Sequence, residues 1–103
     1  MSLGYVYDPI YLEHDTGEHP ENGARLAAIM DHLRASGLLA RMTPLAAERA
    51  ALVDLQRIHQ PALIERIRRV AASGGGNLDL DTAVSARSFE AALFAAGGTI
   101  AAA

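Results

Sequence analysis

Residues able to do chemistry crowd into Tyr11–Leu26, where His14, Asp15, Glu18, His19 and Glu21 share one turn-prone segment. Histidine and carboxylate together are ligands for zinc or iron. Their spacing fits no standard helical pair, so a hydrogen-bonded loop is the simpler reading, and a small metal-binding protein using His14, Asp15 and His19 is the rival. Arg25 follows in the first turn of an expected helix, where a positive charge opposes the dipole; an ion pair, an anion site or plain exposure would each account for it. His59, at a helix break, reads as a structural histidine bonded to backbone, and Asp79 and Asp81 read as turn-forming or helix-capping residues. Gly74-Gly75-Gly76 has no following lysine, which argues against a phosphate loop.

The elements that must position these groups follow from apolar spacing. Tyr5-Val6-Tyr7 reads as a short buried strand stopped by Asp8-Pro9. Leu26, Ile29, Met30 and Leu33 mark one face of a helix from about Asn22 to Ala35, with Asn22 as its cap and Gly37 as its stop. Met42–Leu45 is a second short strand or a connector. A weaker helix is expected over 48–58, broken by His59-Gln60-Pro61, and a stronger one over 61–72, ended by the glycines. Asn77–Thr82 reads as a polar loop. A last helix starts at Ser85 or Ser88, and from Phe89 to Ala103 it carries one charge, Glu90, with small and apolar residues all round. Such a helix is built to be buried on every side. Gly97-Gly98 within it costs roughly 2 kcal/mol relative to alanine and implies close backbone packing. The remaining elements are too few to surround it, which suggests the opening part of something larger or a self-associating chain.

With 103 residues there is one domain at most, and a chain of this size buries only roughly 60–65% of its unfolded surface. Half the residues are apolar and 20% are charged, a globular composition. All nine basic residues are arginine, read here as genomic base composition. The net charge of −3 argues against nucleic acid as a partner. The absence of cysteine removes disulfides and thiol chemistry. No run reaches the ~18 apolar residues of a membrane helix and no signal peptide is recognisable, so no membrane association and a cytoplasmic setting are expected.

Tyr5-Val-Tyr-Asp8, His14-Asp-Thr-Gly17, His19-Pro-Glu21 with Arg25-Leu26, Ile58-His59-x-Pro61 with Ile64-Glu65-Arg66, Gly74–Gly76, and Leu80-Asp-Thr82 with Ser85 and Ser88 stand in a meaningful order. Together they resemble the N-terminal part of the zinc-dependent histone deacetylase family. The similar branch is the class II-like bacterial group of acetoin-utilisation proteins and acetylpolyamine amidohydrolases. The resemblance implies an α/β fold: about the first third of an arginase/deacetylase-like three-layer α/β/α domain, mostly helical in this chain with one or two short parallel strands. It implies hydrolysis of acetyl-lysine or acetylated polyamine by zinc-activated water, with a histidine pair as base and acid. It places His19, Pro20, Arg25, Asp79 and Asp81 along the substrate tunnel or inner cavity, the His14–Glu21 loop and the Asp79–Thr82 loop forming two walls. The family's tandem histidines and Asp-x-His ligands have no counterpart here. The chain is therefore expected to bind no zinc and to be inactive alone, and to form a homo-oligomer through its apolar C-terminal helix. A stand-alone helical interaction module is the other reading.

Overall fold

The computed structural model describes residues 3–80 and 82–103. In chain order it runs through β1 (Gly4–Val6), a 3-10 turn (Pro9–Glu13), α1 (Ala24–Ala35), a second 3-10 turn (Leu39–Arg41) and β2 (Thr43–Leu45). Then follow α2 (Leu52–Gln56), α3 (Pro61–Ala72), β3 (Gly75–Asp79), β4 (Thr82–Ser85) and α4 (Ser88–Ala102). The strands form two separate pairs. β1 and β2 are parallel, with Tyr5 opposite Pro44 and Val6 opposite Leu45. β3 and β4 are antiparallel, with Gly76 opposite Val84 and a register slip between Asn77 and Asp79.

α3 forms where the spacing predicts. Pro61 sits in its first turn, where no N–H is required. Ile64 and Ala71 are buried, Ile67 and Val70 half-buried, and the arginines lie outward. Ser73 and Gly74 close the helix by donating to Arg69 and Ala71 carbonyls. Gly74 and Gly75 then take φ of 104° and 119°, values that side-chain-bearing residues rarely adopt, and turn the chain straight into β3. A side chain at Gly75 would also meet the Val84 carbonyl at 2.6 Å.

α4 is the element the rest leans on: the first 3-10 turn, β1, α3 and β4 all pack against it. Gly97 and Gly98 are buried. A Cβ on Gly97 would strike the Glu48 carbonyl and lie 2.8 Å from Ala50 N; one on Gly98 would lie 2.5 Å from the Tyr11 hydroxyl. The close approach read from the glycine pair is therefore made to the 48–50 backbone and to Tyr11. The opposite strip of α4 is open, with Ala92, Ala95, Thr99 and Ile100 exposed.

Several expectations are corrected. α1 begins at Ala24 rather than Asn22; the cap position falls to Gly23 with no side-chain cap bond, and Asn22, one residue earlier, accepts from Ala24 N through Oδ1 at 2.9 Å. Ile29, expected in the core, is 45% exposed. The weak helix over 48–58 shrinks to Leu52–Gln56, because the segment before it stays extended and Ala50 N donates to Leu93 O across to α4. Residues 77–79, expected in a loop, belong to a strand paired with β4, so the chain carries an antiparallel pair beside its parallel one. The buried set is made of small and medium side chains (Met30, Ala50, Ile64, Ala71, Val84, Ala91, Leu93). A radius of gyration of 15.1 Å exceeds the ~13 Å of a compact 100-residue domain, and the shortest dimension is 17 Å. Among the described residues no helix is long and apolar enough to cross a membrane.

Candidate functional site

The loop after the first 3-10 turn is pinned at its root by two serines from the far end of the chain. His14 Nδ1 lies 2.6 Å from Ser88 Oγ, and the same oxygen accepts from Ser85 N at 2.7 Å. The Ser85 hydroxyl, 2.9 Å from that of Ser88, accepts from Asp15 N at 3.0 Å and donates to Glu13 O at 3.1 Å. Ser88 is only 6% exposed, and a buried hydroxyl needs such partners. Its one proton goes either to His14 or to Ser85, and the histidine tautomer follows. A serine and a histidine at this distance have the reach of a nucleophile and its base. Here the serine oxygen is already taken by a backbone N–H at the foot of α4, and the pair acts as a staple.

The staple holds the loop across from the β3–β4 hairpin and leaves a cleft of about 490 Å3 between them. His14, Thr16, His19 and Glu21 line one side, Thr82 and Ala83 the other. That volume lies within the range of small-molecule sites, roughly 300–1,000 Å3. An adjoining cavity of about 340 Å3 shares Tyr11, His14, Thr82 and Ala83 and continues over Ile67, Leu78 and Val84, so its floor is apolar. Tyr11 stands at the junction. Its hydroxyl donates to Phe94 O at 3.2 Å, and its ring meets Tyr7 edge-on at 6.3 Å. Burial, and then the neighbouring Asp8 carboxylate, raise its pKa and keep the phenol protonated.

Of the residues singled out from sequence, His19 is half-buried and lines the cleft, its Nδ1 accepting from Glu21 N at 2.9 Å. Pro20 is exposed on the loop. Arg25 points to solvent and faces Glu21 at 3.7 Å, with side chains 77% and 76% exposed, a geometry worth little. Asp79 is exposed at the end of β3 and is not among the cleft-lining residues. Asp81 lies outside the described residues. His59 borders a separate apolar cavity of about 220 Å3 with Leu55 and Phe89, while its backbone N donates to Leu55 O at 2.9 Å. Of the three donors of the metal reading, His14 bonds Ser88 through Nδ1, Asp15 accepts from Gly17 N at 2.8 Å, and His19 Nδ1 accepts from Glu21 N. Among the described residues no three His, Asp or Glu side chains converge as a metal site would require. Thr82 lay at the end of the loop expected as a second wall, whereas Tyr11 and Ala83 were not singled out as site residues. Ser85 and Ser88 stood out as possible helix starts and as part of an ordered motif, a signal that does not reveal a bond made across 70 residues.

Residues 19–103 match the family model described as the histone deacetylase domain. The chain is 37% identical over 106 residues to a probable deacetylase of Archaeoglobus fulgidus, covering 100% of itself and 29% of that protein. It is 36% identical to a histone deacetylase-like amidohydrolase of Pseudomonas aeruginosa, covering 96% of itself and 25% of that protein. The crystal structure of the HDA15 HD domain superposes with a TM-score of 0.88 at 27% identity, over 94% of this chain and 29% of that one. The chain thus spans between a quarter and a third of the length of the proteins it matches.

Proposed function

The chain belongs to the histone deacetylase family, and on that premise we propose that it contributes two walls of the substrate cleft of an amidohydrolase acting on acetyl-lysine or acetylated polyamines. The observation that carries this is the stapled loop. His14, Ser85 and Ser88 fix the His14–Glu21 segment opposite Thr82 and Ala83 with room between them for an acylated amine. The apolar floor of the adjoining cavity suits an aliphatic chain, and its polar rim suits the amide. His19 faces that space, and Tyr11 closes its inner end, with its hydroxyl turned to Phe94 O.

Family members of this class imply zinc. The described residues do not fit such a site, since no three suitable donors meet and cysteine is absent, so no step is routed through a metal here. We read the chain as about the first third of a longer deacetylase-like domain, inactive alone, a reading supported by the 25–29% share of its relatives that it spans. Pro20, Arg25, Asp79 and Asp81 remain assigned to the tunnel or inner cavity of that larger domain by resemblance. Self-association through the open strip of α4 belongs to the same proposal and is supported by Ile100, 54% exposed among alanines. A cytoplasmic setting rests on composition.

The test is acetate release from an acetyl-lysine peptide and from acetylputrescine, with zinc added. It compares the 103-residue chain with the longest polypeptide its reading frame encodes. Release by the longer polypeptide alone, weakened in KM by His19→Ala, is expected. Release by the short chain, or none by the longer one, overturns the reading.

A further inference from the structure

Three exposed arginines each have an acidic partner of their own within four residues: Arg25 with Glu21, Arg34 with Asp31, Arg57 with Asp54. Four others share their acids. Arg49 and Arg87 share Glu90, while Arg68 and Arg69 share Glu65. Four of the nine arginines thus gather around two of the twelve acids, on a chain whose net charge is −3. A shared carboxylate cannot neutralise two guanidinium groups, and two positive charges are left over.

Two of these four, Arg49 and Arg68, come to one place. Arg49 comes from the extended segment before α2, Arg68 from α3, and Glu90 and Phe89 from the first turn of α4. They border a cleft of about 280 Å3 floored by Ala71, Ala72 and Leu93. Arg49 is fixed both by Glu90 and by the Phe94 ring, its guanidinium carbon 5.5 Å from the ring centroid. Arg68 is held through two of its nitrogens, Nε donating to Glu65 Oε2 at 2.8 Å. A guanidinium carries five N–H donors, so each retains donors beyond these bonds. Fixed, forked donors beside an apolar floor match an oxyanion on a compact hydrophobic body.

We propose that the cleft between Arg49 and Arg68 is a binding site for a small ligand that joins a carboxylate or phosphate to an apolar group. Its volume falls just below the range of drug-sized ligand sites, which points to a metabolite-sized anion rather than an acidic protein surface. The site is separate from the cleft lined by His19 and does not depend on the deacetylase reading.

Phenyl phosphate is the probe, titrated into the full chain by calorimetry, with inorganic phosphate and benzyl alcohol in parallel. Saturable one-to-one binding of phenyl phosphate is expected, tighter than either half of the molecule. Arg49→Gln and Arg68→Gln should each weaken it about tenfold, the loss of one charge-assisted contact, whereas Arg34→Gln should leave it unchanged. Arg68→Lys keeps the charge but loses the fork, and should fall between. It also serves if circular dichroism shows that Arg68→Gln misfolds. No saturable binding, binding unaltered by both glutamine variants, or equal weakening by Arg34→Gln would each overturn the proposal. Inorganic phosphate binding as tightly as phenyl phosphate would overturn the apolar half of it.

Discussion

α3 and α4 are helices of similar length that solve opposite problems. α3 turns its buried residues to one face and satisfies the other close at hand: Glu65 pairs with Arg68 and Arg69 one turn on, and Arg66 donates to Leu78 O of the adjoining β3 at 2.9 Å. Everything its sequence asks for is present in this chain. α4 asks for more than it gets. One strip is so close to its neighbours that only glycine fits, while the strip of Ala92, Ala95, Thr99 and Ile100 faces solvent. A helix with a polar face is complete on a surface; one without is complete only inside something. Within one fold, the difference separates what this chain stabilises alone from what it holds ready for contact.

The comparison breaks most visibly at Gly97. Gly97→Ala should destabilise the protein by about 3 kcal/mol, because the methyl meets the Glu48 carbonyl, a backbone atom with no rotamer to yield. This outweighs the ~1 kcal/mol that alanine gains within a helix. On α3 the reverse exchange at an exposed site, Ala62→Gly, should cost only about 1 kcal/mol. Urea titration of both variants gives the contrast. Equal losses would mean that α4 is not in fact seated on the 48–50 backbone.

Next in size is the foot of α4. Ser88→Ala leaves His14 Nδ1 and Ser85 N without their shared oxygen, at about 1–3 kcal/mol. Hydrogen exchange should rise over residues 13–16 together with the start of α4, two segments joined by the serines. Faster exchange in α4 alone would show that the loop is held by something else. On the open strip, Ile100→Asp should leave stability within about 0.5 kcal/mol, as for an ordinary surface change. It should lower the sedimentation coefficient if the chain associates through α4. A parent chain already monomeric would remove the homo-oligomer from the proposal.

What sequence alone revealed follows the same divide. α3 was legible at both ends because Pro61 and Gly74 are local signals, and the glycine pair of α4 announced a close neighbour without saying which. The helix expected over 48–58 failed because Ala50 gives its N–H to Leu93, a tertiary bond that overrides propensity. The hairpin was missed because Gly75, Gly76 and Asn77 carry no strand pattern, and its register is set by Ala83 to Ser85 across the turn. At the cleft, His19 could be singled out as a polar residue in a polar loop. Thr82 could be placed opposite it only by resemblance, and the tie from His14 to Ser88 exists only once residues 74 apart in sequence are adjacent.

The smallest effect belongs to α3 and tests its self-sufficiency. Hydrogen bonds from Arg68, ahead of its charge and of Arg69, lower the Glu65 pKa from 4.5 to about 2. A carboxylate with a depressed folded-state pKa adds stability that is present above its unfolded value and is lost as pH falls toward the folded one. The contribution should therefore stand at neutral pH and fade between about 4.5 and 2. Since the group is exposed, the gain is screened and slight. In Glu65→Gln the fading should be shallower than in the parent across that window, and high salt should erase the difference. If the two proteins lose stability in parallel as acid is added, α3 owes nothing to its ion pairs. Its completeness would then lie in the apolar face alone, and the guanidinium of Arg68 would be freer to meet a ligand than its present bonds allow.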